Sequence, residues 1–174
     1  MLNCLELSKN ILLYSKDEVL ENIQWFNSTE EMLSILNILK VIIPPNINLK
    51  SSINSESIYL CGNKREFKQI VLNICTNAYQ SMEKNGGSIE VKYYVEDIKS
   101  VLIISDTGCG IKKEVISRIY EPFYTSKDSN GNGLGLSIVA ELVKKINGNI
   151  QIESEENVGT IVKIEFNNIK SDNS

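Results

Sequence analysis

Four short stretches of this chain have residue types and spacings that could do chemistry. In the first, Asn73 and Asn77 stand four apart, with Gln80 and Ser81 just beyond. On a helix that spacing stacks the two carboxamides on one face. Carboxamide oxygens are hard ligands suited to Mg²⁺, a cation that takes few protein groups and keeps phosphate oxygens and waters. The second stretch is Asp106-Thr107-Gly108-Cys109-Gly110-Ile111. A carboxylate at a strand's end can accept a hydrogen bond from an amino group on a flat ring, and glycines let backbone approach that ring without a Cβ clash. The third, Glu121-Pro122-Phe123-Tyr124-Thr125-Ser126-Lys127, sets two aromatics beside a cation that a closing loop would bring to a phosphate. The fourth, Gly131-Asn132-Gly133-Leu134-Gly135-Leu136, places alternate glycines before a helix. There, unpaired N–H groups and the positive end of the helix dipole attract phosphate. Each stretch also has a plainer structural reading. These are a solvated helix face, an Asx-capped turn, an aromatic anchor for a loop, and a turn that merely starts a helix.

The elements that must hold these stretches follow from periodicity. Leu2, Leu5, Ile11 and Leu12 suggest a short amphipathic helix over 1–16, followed by a connector over 17–27. Ser28-x-x-Glu31 is a capping box opening a second helix, with Met32, Ile35, Leu36 and Leu39 as its apolar stripe and Pro44-Pro45 as its stop. Strands are expected at 47–53 and 58–61. The longest helix spans about 64–84, with Phe67, Ile70, Val71, Ile74, Ala78 and Met82 on its core face. Strands at 88–95 and 101–105 follow, and the apolar run Val101-Leu102-Ile103-Ile104 predicts a central place in a sheet. Residues 107–132, rich in Gly, Ser and Asn, read as a lid that is mobile until a ligand orders it, with a helical patch near 112–119. A helix at 134–146 and a hairpin of strands 149–154 and 160–166 close the chain. The expected class is α+β: a two-layer sandwich whose mixed, mostly antiparallel sheet is covered on one face by about three helices. Residues 28–167 would form the domain, 1–27 a helix remnant and linker, and 168–174 a disordered tail.

Composition removes several classes. Lys and Arg total 18 against 22 Asp and Glu, so the net charge of −4 argues against a nucleic-acid binder. No histidine is present, which removes Ser-His-Asp and Cys-His catalysis and histidine zinc sites. No two of the four cysteines form a CxxC pair, so they read as reduced thiols. No apolar run is long enough to cross a bilayer and no signal peptide is visible, so direct membrane insertion is not expected.

In series, the four stretches resemble the boxes of the ATP-binding catalytic domain of sensor histidine kinases. That is the Bergerat-fold superfamily shared with gyrase B, the Hsp90 chaperones and MutL. Asn73 to Ala78 resembles the N box, Asp106 to Gly110 the G1 box, Pro122 to Thr125 the F box and Gly131 to Gly135 the G2 box. Ala78-x-Gln80-Ser81-Met82 and the short lid are most similar to the nitrogen-regulator type. The resemblance implies ATP and Mg²⁺ as ligands. Asn77 should hold the metal, with Asn73 supporting it or a phosphate. Asp106 should read the adenine amino group, with Thr160 holding a water beside it. It further implies that Gly108, Gly110 and Ile111 line the adenine pocket and that Phe123 belongs to the lid. Gly131, Gly133, Leu134 and Gly135 should wrap the phosphates, with Lys127 reaching towards them.

One departure shapes the expected reaction. ATPases of the superfamily carry a water-activating Glu where this chain has Asn73, and a carboxamide cannot serve as that base. Hydrolysis is therefore disfavoured, and the resemblance implies a histidine kinase catalytic domain in which Asn73 and Lys127 assist transfer. With no histidine in the chain, it cannot phosphorylate itself on one. The acceptor would sit on a dimerisation domain, in a longer parent or in trans, and a response regulator would act downstream. Ile11 to Lys16 resembles the end of a dimerisation helix. The isolated chain is expected to be a cytoplasmic monomer, with any membrane association belonging to its parent. Two alternatives stay open: a non-catalytic ATP-binding regulatory module and a weak ATPase of the same fold.

Overall fold

The computed structural model describes residues 23–54, 56–119 and 135–171. The reading of 1–16 as a helix, the aromatic-lysine stretch and most of the second glycine turn lie outside them.

The longest elements start where a side chain can satisfy the first free N–H groups. Helix α1 (Ser28–Ile42) is capped by Asn27, whose carboxamide accepts from the Glu30 N–H at 3.0 Å. The capping box on Ser28 is thus displaced by one residue. The Ser28 hydroxyl is buried and lies 2.7 Å from both the Ile58 carbonyl and the Tyr93 hydroxyl, while Glu31 pairs with Lys64 at 2.7 Å. Helix α2 (Lys64–Ser81) is capped in the same way, Asn63 accepting from the Arg65 N–H at 2.9 Å. Its expected core residues are all buried. The third helix, α3 (Gly135–Lys145), buries Ile138, Val139 and Val143. Lys145 of α3 reaches Glu66 of α2 at 2.8 Å.

Beneath the helices runs a five-stranded sheet made of β2 (Ile47–Ile53), β4 (Gly87–Glu96), β5 (Lys99–Asp106), β6 (Gly148–Glu155) and β7 (Gly159–Phe166). Its order is β2-β4-β5-β7-β6, with β2 parallel to β4 and every other pair antiparallel. The apolar strand β5 is central, as its sequence predicts. Among the described residues the architecture is the expected α+β sandwich of three α-helices and a mixed, mostly antiparallel sheet.

A second sheet departs from expectation. Residues Gln24–Asn27 form β1, Ile58–Gly62 form β3 and Ile169–Ser171 form β8, in the order β1-β3-β8. The connector therefore ends in a strand, and the expected tail contributes another. Both are antiparallel to β3 and are held by it. Strands β2 and β3, neighbours in sequence, lie in different sheets.

An aromatic cluster joins the layers. Phe67 of α2 sits 5.7 Å from the Phe26 ring of β1, 6.0 Å from Tyr93 of β4 and 5.7 Å from Phe166 of β7. The outer face of the large sheet is polar. There Lys99 and Lys163 both pair with Glu165, and their hydrogen bonds, that of Lys163 foremost, hold its carboxyl below the usual range.

The cysteines Cys61, Cys75 and Cys109 are free thiols in contrasting settings. Burial pushes the Cys75 thiol up to about 12, whereas Cys109 is exposed. Because the thiolate is the nucleophile, iodoacetamide at pH 8 should alkylate Cys109 in the folded protein and spare Cys75 until denaturant is added. Peptide mass spectrometry checks this; equal labelling rates would contradict the packing around α2.

Candidate functional site

The period of two along the strands decides what the end of the large sheet presents. Ile104, Val162 and Ile152 point to the helices and are buried or partly buried. Two residues away on the same face stand Asp106, Thr160 and Ser154, in register across β5, β7 and β6. The sheet thus ends, on its helix side, in a row of one carboxylate and two hydroxyls.

Helix α2 runs past this row. Asn73, Asn77 and Ser81 share its polar face at four-residue spacing and are half-buried. Ser81, the last residue of α2, holds the turn after β5 at two points. Its hydroxyl lies 3.2 Å from Asp106 Oδ1, and its carbonyl accepts from the Cys109 N–H at 3.4 Å. Asp106 Oδ1 also accepts from the Gly108 N–H at 2.8 Å. The glycines here are required by proximity. A Cβ on Gly108 would lie 1.8 Å from Ser81 Oγ, and one on Gly110, whose φ is +64°, 1.9 Å from the Glu155 carbonyl.

The hairpin of β6 and β7 fastens the far side of the turn. Ser154 Oγ accepts from the Ile111 N–H at 2.9 Å, donates to the Gly159 carbonyl at 2.9 Å, and lies 2.9 Å from Thr160 Oγ1. The Asn157 N–H donates to the Cys109 carbonyl at 2.8 Å. At the other end of the site α3 begins at Gly135, where a Cβ would sit 3.1 Å from Asn77 Nδ2 and 3.2 Å from its Oδ1. The Asn77 carboxamide therefore touches the N-terminus of α3, one turn of α2 from the Asp106 turn.

Of the residues singled out in the sequence, Asn73, Asn77, Asp106, Gly108, Gly110, Ile111, Gly135 and Thr160 are described. The structure gathers them along the polar face of α2, the β5 turn and the start of α3. Phe123, Lys127, Gly131, Gly133 and Leu134 lie outside the described residues. In the sequence Ser81 stands out only as a neighbour of the polar strip, with no role in the site, and Ser154 is not singled out. Ser81 continues the 73–77 spacing by one more turn, a signal that was available. Ser154 becomes visible only once the hairpin register sets it opposite Thr160.

A groove of about 580 Å³ opens beside the same turn, over Glu90, Ser105, Ile161 and Glu153. Those four residues lie on the sheet face away from α2, and the groove reaches the sheet end itself, where Asp106, Ser154 and Thr160 also line it. Among the described residues no three His, Cys, Asp or Glu side chains cluster as a metal cage.

Residues 62–169, more than half of the chain, match the family described as histidine kinase-, DNA gyrase B-, and HSP90-like ATPases. The chain belongs to this family. Within it, the chain is 32% identical over 170 residues to Sporulation kinase A of Bacillus subtilis, covering 92% of this chain and 27% of that kinase. The family member thus spans about a quarter of that relative's length. The catalytic domain of the histidine kinase ThkA superposes with a TM-score of 0.71 at 26% identity, over 83% of this chain and 95% of that domain. Full-length ShkA in complex with AMPPNP shares the fold, with a TM-score of 0.73 at 20% identity over 86% of this chain and 32% of ShkA. No helix among the described residues is long and apolar enough to cross a membrane.

Proposed function

We propose that this chain is the ATP-binding catalytic part of a histidine kinase. It binds Mg·ATP and donates the γ-phosphoryl group to a histidine on a dimerisation domain outside this chain. One observation carries the reading. A single face of α2 meets the acidic turn at Ser81 and the N-terminus of α3 at Asn77, so a carboxylate and a phosphate-attracting helix end flank one polar strip.

The residues present fit the ligand. Asp106 accepts from the adenine amino group, and Thr160, opposite it in the sheet, holds a water there. Gly108, Gly110 and Ile111 line the base, the glycines because backbone packs too closely for a Cβ. The N–H groups at the start of α3, from Gly135 onward, face the phosphates, joined by Gly131, Gly133 and Leu134. Lys127 and Phe123 would act on the same phosphates from the lid, as the family resemblance implies. Asn77 would hold Mg²⁺, with Asn73 one turn away supporting it or a phosphate; a single carboxamide suits an ion that keeps waters and phosphate oxygens. Bound there, Mg²⁺ would neutralise phosphate charge.

The chain's own part in the reaction is positioning. The base and phosphates would be held so that the γ-phosphorus faces outward, and the bond to the β–γ bridging oxygen would break as an imidazole nitrogen attacks, leaving ADP. Asn73 cannot take a proton from water, which favours transfer over hydrolysis. The phosphoryl group would pass on to a response regulator in the cytoplasm, where ATP is available.

Incubation with γ-labelled ATP and a separate dimerisation domain carrying the acceptor histidine tests this. Label should appear on that domain and vanish when its histidine is replaced by glutamine. Tight ATP binding without transfer would instead make the chain a regulatory module, and release of free phosphate at a comparable rate would make it an ATPase.

A further inference from the structure

We infer that Ser81 is a positioning residue that sets the adenine selectivity of Asp106; this rests on the reading of Asp106 as the group that meets the base. Ser81 is the last residue of α2, and its hydroxyl faces two acceptors, the Ala78 carbonyl at 2.7 Å and Asp106 Oδ1 at 3.2 Å. A hydroxyl has one proton, so it can serve either the helix carbonyl or the carboxylate. When it serves the carboxylate, Oδ1 has two donors, Ser81 and the Gly108 N–H at 2.8 Å. Two donors on one oxygen hold the carboxylate plane, and with it the direction from which the second oxygen can accept.

The contact is built into the backbone on both sides. The Ser81 carbonyl accepts from the Cys109 N–H, so the residue grips the turn by main chain and side chain together. Gly108 leaves the hydroxyl its space, since a Cβ there would stand 1.8 Å from it. Loss of the hydroxyl alone keeps the main-chain grip and the Gly108 bond, but removes one of the donors that fix the direction of the carboxylate. The consequence falls on a ligand group that needs the carboxylate in one direction, the exocyclic amino group. It spares the phosphates, which are held one helical turn away beside Asn77.

The test compares ATP with purine riboside triphosphate, identical except that it lacks the 6-amino group, on the full chain and on Ser81→Ala. The wild-type chain should prefer ATP. In Ser81→Ala the ATP affinity should fall roughly three- to tenfold, the change expected from one ordinary hydrogen bond, and the affinity for the amino-free analogue should stay within about twofold. Ser81→Thr, which retains the hydroxyl, should recover part of the preference. A Ser81→Ala chain with the wild-type preference, or one weakened equally for both nucleotides, overturns the inference while leaving the nucleotide site standing. A wild-type chain that binds neither nucleotide, or both alike, overturns the reading of Asp106 and the inference with it. Thermal melts of each variant separate a loss of fold from a loss of selectivity.

Discussion

Asp106→Asn should weaken Mg·ATP binding by roughly 10- to 100-fold, in line with the loss of a hydrogen bond to a charged acceptor. The size of the effect comes from how Asp106 is already used. Its Oδ1 accepts from the Gly108 N–H and faces the Ser81 hydroxyl, and the carboxylate as a whole has acceptor capacity on both oxygens. An asparagine has one oxygen. If that oxygen stays with Gly108, the NH₂ group points where the adenine amino group needs an acceptor. If the amide flips, the NH₂ group confronts the Gly108 N–H instead. Either orientation sets donor against donor. Calorimetric titration of the variant, with a thermal melt to confirm folding, measures the change. An unaltered affinity would remove Asp106 from the base site.

The second large effect is on stability. Phe67→Ala should destabilise the protein by about 3–5 kcal/mol, the usual cost of emptying a buried aromatic site. Phe67 is fully buried on α2 and touches a ring from each of three strands, β1, β4 and β7. Its neighbours cannot easily close the gap. The Tyr93 hydroxyl is fixed 2.7 Å from Ser28 Oγ and 3.3 Å from Ser100 Oγ, so the ring cannot slide inward without breaking buried hydrogen bonds. A domain of this size has only about 5–15 kcal/mol to lose, so the variant should unfold at markedly lower urea concentration. Chemical denaturation followed by circular dichroism gives the difference. A loss below about 1 kcal/mol would mean the cluster relaxes freely, contrary to the close packing of protein cores.

These two residues illustrate what could be read from sequence. Phe67 belongs to a stripe at helical spacing, and Asp106 follows a continuous apolar run, so the local pattern already placed one in the core and the other at a strand's end. The same holds for α3 and the closing hairpin, whose turn contains Gly159 with φ +144° and its Cβ position 2.0 Å from the Asp106 carbonyl. The misses are non-local. Strand β1 has four residues and β8 three, too short for a period to show, and both exist because β3 offers them a ladder. The parallel pairing of β2 with β4 spans β3 and α2, so nothing in the β2 segment itself reveals it. Ser28 has the right neighbours for a cap. Tyr93, 65 residues away, draws its hydroxyl into the core instead, and Asn27 takes the capping position. In the site, the acidic turn was legible because its glycines are constrained locally. The serines that brace it, Ser81 and Ser154, depend on helix-to-turn and strand-to-strand contacts.

The most direct test of a shared nucleotide cleft on the helix side of the sheet is a titration of ¹⁵N-labelled protein with Mg·ATP, followed by backbone amide shifts. Saturable shifts are expected at Asn77, Asp106 to Ile111, Gly135 and Thr160, with Glu90, Lys92 and Lys163 on the opposite face left in place. Shifts confined to that opposite face, or none at millimolar nucleotide, would contradict a cleft on the helix side.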